Sequence, residues 1–184
     1  METTIAVEGT CSSRRGGIGP ALLAGQLGGL AFLAVWLFAY AVAFRGFPWT
    51  WPLQVIAAFV QGAAALHAPT ALTYVLGVIV NQIVALAWSG AFAWFVGSAI
   101  FVPRLATCVV AGLGLGLSSA FVDTILLVPP LFGILQDMDP WWSLLDRGWD
   151  WVAHIAFGMA TGWFFYVLGP QSRMRRREPT RSNA

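Results

Sequence analysis

The sequence predicts an all-α polytopic membrane protein: four transmembrane helices in two parallel two-helix repeats, plus one short interfacial or re-entrant helix. Three observations carry that prediction. Hydrophobic residues make up 58% of the 184 residues, charged residues only 10%, and mean hydropathy is +0.73, whereas a soluble domain carries about a quarter charged residues. Four apolar stretches reach the length of about 20 residues that a bilayer core of roughly 30 Å requires. The cations are all arginine, ten with no lysine, and they cluster on one side of those stretches.

The first stretch, 18–44, ends at Arg45, Gly46 and Pro48. The second is apolar from Thr70 to Val102, gives a span over about 76–102, and ends at Pro103 and Arg104. The third, 105–128, is expected to stop at Pro129 and Pro130, and the fourth, 149–168, at Gly169 and Pro170. Proline and glycine at those places are ordinary helix ends. Between spans one and two, 52–68 is apolar but short and lies between Pro52 and Pro69. With Gln54 and Gln61 seven residues apart on one helical face, it reads as an interfacial or re-entrant helix.

Arg14, Arg15, Arg104 and the arginines from Arg173 to Arg181 all fall on one side of this map. Short arginine-rich loops remain cytoplasmic, so both termini are expected inside a bacterial inner membrane. The tails 1–17 and 171–184 then flank a single domain over 18–170. The first tail has no apolar core and does not read as a secretory signal. The run Arg173-Met-Arg-Arg-Arg177 reads as a cytoplasmic flank touching anionic headgroups rather than a nucleic-acid site. Trp49, Trp51, Trp141, Trp142, Trp149 and Trp151 lie in or beside the two outer connections, at the headgroup depth that favours an amphipathic ring. Cys11 and Cys108 both fall on the reducing side, so no disulfide is expected.

The halves resemble each other. Gly25-x-x-x-Gly29 matches Gly112-x-x-x-Gly116 at an offset of 87, and Ser89-Gly90 matches Thr161-Gly162 at an offset of 72. Small residues four apart form a flat strip for close helix approach, and Gly158-x-x-x-Gly162 adds a third. The strips fit packing inside the bundle or a homodimer.

Polar side chains inside spans are costly and therefore informative. Asp123, His154, Asn81, Gln82 and His67 all fall toward the outer side, which outlines a candidate polar pocket with Asp123 and His154 as a proton-exchanging pair. Interhelical hydrogen bonding explains the same residues without a ligand. A bis-histidine haem would need His67 and His154 on opposite sides of one cavity, and zinc would need a third ligand, for which Asp123 is the only candidate at that depth. No metal site, cofactor or catalytic residue is assigned.

In the fourth span His154-Ile-Ala-Phe-Gly158-Met-Ala-Thr-Gly162 reads as His-x-x-Phe/Tyr-Gly-x-x-x-Gly. This resembles the last helix of uncharacterised families of small four-span bacterial inner-membrane proteins, and the order of elements over roughly 20–168 is similar. The resemblance implies the fold and brings no activity with it. In such proteins the second helix also carries a histidine after a glycine, whereas here Gly77 is followed by Asn81, which departs from a paired-histidine arrangement. The role expected is a non-enzymatic accessory or binding subunit embedded in lipid, as a homodimer or in a larger complex. The alternatives are a small proton-coupled transporter or permease-like dimer and, more remotely, a haem or quinone protein.

Overall fold

The computed structural model describes residues 18–99, 104–130, 133 and 145–169, and for 97–99 the backbone alone. The helices among them are α1 (Ile18–Val42), α2 (Trp51–Gln61), α3 (Ala64–His67), α4 (Ala71–Ala99), α5 (Leu105–Phe121, running on through a π-helical turn, Val122–Leu127, to Pro130) and α6 (Arg147–Leu168). Four of them, α1, α4, α5 and α6, are long and apolar enough to cross a membrane, so the chain is an all-α multi-pass membrane protein. Their outward residues form the lipid-facing coat, with Leu30, Phe38, Ile83, Trp94, Val110 and Trp163 all largely exposed.

Local chemistry sets the helix ends, and it moves several of them from the expected positions. α4 begins at Ala71, five residues before the expected 76. Here the Thr73 hydroxyl reaches back to accept from the Thr70 N–H at 3.0 Å, which satisfies a donor that the first turn leaves open. The expected end near 102 lies outside the described residues. α6 begins at Arg147 rather than 149, because Asp146 caps it by accepting from the Trp149 N–H at 3.0 Å.

The 52–68 segment is not one helix. Gly62 takes a positive φ of 61°, a conformation that L side chains avoid, and divides it into α2 and α3. α2 is lodged against the bundle rather than laid on its surface: every residue from Pro52 to Ala58 is buried. Ring contacts join it to α1: Tyr40 stacks on Phe44 (4.6 Å) and meets Phe47 edge-on (6.1 Å), and Phe47 lies tilted against Trp51 (5.1 Å).

Pro129 and Pro130 do not end the third span at 128; the helix contains both. Neither proline has an N–H to offer the preceding turn. Just before them the chain widens, and the Val128 N–H bonds to the carbonyl of Asp123 five residues back, as a π turn does.

The spans form an open horseshoe in the order α4, α1, α6, α5. α1 packs on both α4 and α6, α5 packs mainly on α6, and α4 and α5 barely touch each other. α2 rests on α4, where Gly77 meets the Leu53 carbonyl so closely that a Cβ would have no room. The glycine strips form the antiparallel seams. Gly25 faces Ser89, Gly29 faces Ala85, Gly112 faces Gly158 and Gly162, and Gly116 faces His154 and Gly158. All six strip glycines thus meet a helix of their own chain, and Gly28, which the spacing did not single out, meets Phe157 and Thr161.

Candidate functional site

The open side of the horseshoe holds a cavity of about 290 Å³ bounded by α1, α2, α4, α5 and α6. Its walls are mostly apolar, with Phe32, Ile56 and Phe157 buried and Phe59 half-buried. Val60, Val84 and Leu127 on the rim are exposed. They belong to α2, α4 and the π turn, so the mouth opens sideways, between the helices, where a bilayer would lie.

Polar chemistry gathers at one end of this cavity. Asp123 enters from the π turn, His154 from α6 and Trp88 from α4, while Asn81 lines the wall about 10 Å away along α4, seven residues before Trp88. The Trp88 indole N–H donates to Asp123 Oδ2 at 2.9 Å, and His154 Nε2 lies 3.7 Å from the same oxygen. The opposite ring nitrogen, Nδ1, lies 2.9 Å from the Asp150 carbonyl oxygen and 3.5 Å from Asp150 Oδ1. A carbonyl oxygen only accepts, so Nδ1 must carry a proton. Nε2 then faces a carboxylate, and the approach is favourable only if a second proton resides on that pair. Thr124 Oγ donates to Asp150 Oδ2 at 2.6 Å and closes the row. Phe32 sits edge-on to the imidazole at 4.9 Å and fixes its plane.

Asp123 and His154 do meet, as their depths suggest. From Arg147, His154 lies about 10 Å along α6 at 1.5 Å per residue, two turns in. Asn81 lines the cavity and donates to the Gly29 carbonyl at 3.0 Å. Gln82 does not line it: its side chain lies behind Asn81 against Gly29, and its carbonyl accepts from Gln26 Nε2 at 3.1 Å. His67 is exposed on α3 and is not in the cavity wall. The two histidines therefore do not face each other across this pocket, and the bis-histidine arrangement is not formed.

Asp150, Thr124, Trp88 and Ser119 escaped the sequence reading. By residue type Asp150 is not separable from Asp137, Asp139 and Asp146 of the same outer connection, yet its side chain is 1% exposed. The available signal was its spacing from His154, four residues earlier on the same helical face. Thr124 adjoins Asp123 and reaches the other side of the imidazole only through Asp150, a link that sequence does not display. Asp137 and Asp139 lie outside the described residues.

Asp123 and Asp150 lie on opposite nitrogens of the ring and do not converge on one point. Among the described residues no three His, Cys, Asp or Glu side chains gather as metal ligands. The arrangement suits proton exchange and head-group recognition at the end of an apolar slot. No family profile, curated protein or solved structure matches this chain.

Proposed function

We propose that this membrane protein is a non-enzymatic binding or accessory subunit that takes a small amphiphile from the bilayer into the cavity between α4 and α5. One observation carries the reading: a side-opening apolar slot of about 290 Å³ ends on the Trp88–Asp123–His154 cluster. Binding pockets for small molecules are of this kind, largely apolar with a few converging polar groups, and about 300 Å³ is the lower end of their range. The ligand is accordingly small.

The test is quenching of Trp88 by a brominated alkyl alcohol, with the full chain in lipid nanodiscs. Saturable quenching is expected, absent in Trp88→Phe and lost in Val84→Phe, whose larger ring would occupy the mouth. Quenching that rises linearly and equally in all three proteins would mean simple partitioning and would end the proposal.

The same reading places both termini on the cytoplasmic side of a bacterial inner membrane, supported by the distribution of arginine. It also treats the chain as two parallel helix-pair repeats, supported by Gly25 and Gly112 each facing the second helix of its own half. Gly46, an open position between α1 and α2, is the site for a topology test. In a Cys-free background, Gly46→Cys is expected to react with an impermeant maleimide in intact cells. Protection there, with labelling after lysis, would reverse the orientation.

A further inference from the structure

The charge at the polar end of the cavity narrows the ligand class. Two carboxylates, Asp123 and Asp150, flank a single imidazole. Carboxylates outnumber the imidazole there two to one. Among the described residues the arginines are Arg45, Arg104 and Arg147, and none lines the cavity. Arg45 lies in the α1–α2 connection, Arg104 at the start of α5, and Arg147 at the start of α6, seven residues before His154. The one basic group that lines the described wall, His154, already faces a carboxylate on each ring nitrogen, and the low-polarity surroundings make a further like-charge contact of a phosphate or carboxylate head with Asp123 costly.

Asp123 is placed to receive an incoming donor. Its side chain retains 14% exposure while lining the cavity, and the contacts with Trp88 and His154 both fall on Oδ2, so neither engages Oδ1. Aromatic rings surround the slot: Trp88, Phe32, Phe59 and Phe157. Ring faces attract ammonium groups and do nothing for anions. Cavity, charge and rings agree on one occupant.

We infer that the cavity selects a lipophilic cation, an amine-bearing amphiphile whose protonated head pairs with Asp123 while its apolar body fills the slot. This rests on the binding role proposed above and adds the chemistry of the head group. An uncharged hydroxyl head would fill the same slot and donate to the same oxygen without the charge attraction. A carboxylate head would be repelled.

The test compares phenylbutylamine, phenylbutanol and phenylbutyrate, which share one apolar body, at neutral pH. Binding is measured by titration calorimetry on the full chain in phosphatidylcholine nanodiscs, with empty discs subtracted. The expected order is amine, alcohol, carboxylate, with at least a tenfold step from amine to alcohol. Asp123→Asn, which retains shape and removes charge, is expected to bring the amine down to the level of the alcohol measured on the same variant. The wild-type comparison is decisive even where that variant fails to insert. Equal binding of amine and alcohol, or an amine preference that survives Asp123→Asn, would overturn the head-group assignment and leave the binding role standing. If none of the three bound, both would fall.

Discussion

The α5–α6 seam makes the sharpest prediction, because one methyl group separates two outcomes. A Cβ on Gly158 would press on the Gly112 carbonyl and on the backbone N and Cα of Gly116. All three are main-chain atoms, so no rotamer change relieves the contact and the helices must part. Parting also loosens the neighbouring contacts of Gly162 with Cys108 and of Gly116 with His154, which line the same seam. A radial gap of half an ångström to one ångström forfeits about a quarter to a half of the dispersion energy there. Overpacking of this kind costs about 1–3 kcal/mol. Gly114, on α5 itself, has open space where its Cβ would go and serves as the control. Gly→Ala in a helix gains about 0.5–1 kcal/mol of backbone propensity. Because Gly158→Ala and Gly114→Ala gain it alike, the difference between them isolates the packing cost. Reversible unfolding in mixed micelles of rising SDS fraction, followed by near-UV circular dichroism, is the assay. At 1.4 kcal/mol per tenfold, the folding equilibria of the two variants should differ by between about 5-fold and about 150-fold. Equal stability would refute the claim that backbone contact along this strip holds α5 on α6.

Three further outcomes are expected in the same assay. Thr124→Val retains shape but removes the hydroxyl bonded to Asp150 at 2.6 Å, and should cost about 1.5–3 kcal/mol, the range for a bond to a charged group; an unchanged midpoint would remove Thr124 from the row. Asp146→Ala should cost about 1 kcal/mol through the lost α6 cap, and Asp146→Asn should recover most of it. Gly77→Ala should push α2 off α4 at the Leu53 carbonyl, costing about 1–3 kcal/mol and weakening amphiphile binding, since Ile56, Phe59 and Val60 of α2 line the cavity; intact binding would separate α2 from the site.

The spans were legible in the sequence because hydrocarbon thickness imposes a length on apolar runs that composition alone reveals. The glycine strips were legible for the same kind of reason, since spacing of four on a helix is a surface. Helix starts were less so: Thr73 reaching back to Thr70, and Asp146 reaching forward to Trp149, are decided by a single hydrogen bond each. Gly62 gave no warning, because its role as a breaker depends on a positive φ. In the site, Asp123 and His154 could be paired by depth along their helices. Asp150 could not be separated from its loop neighbours by type, because its burial comes from Thr124 and the α5–α6 contact rather than from local sequence. Gln82 and Asn81 are adjacent, and only the helix rotation set by Gly29 tells which one reaches the cavity.

The widened turn at Val122–Leu127 stores the aim of the Asp123 carboxylate in the number of residues rather than in their kind. A π turn accommodates one residue more than a regular α turn, so deleting one, such as Ile125, would restore a regular ladder and leave the flanking segments in phase, at the expense of the direction of the carboxylate. Conservative replacements along this turn should leave the site unchanged, whereas this deletion should preserve the span and alter amphiphile binding.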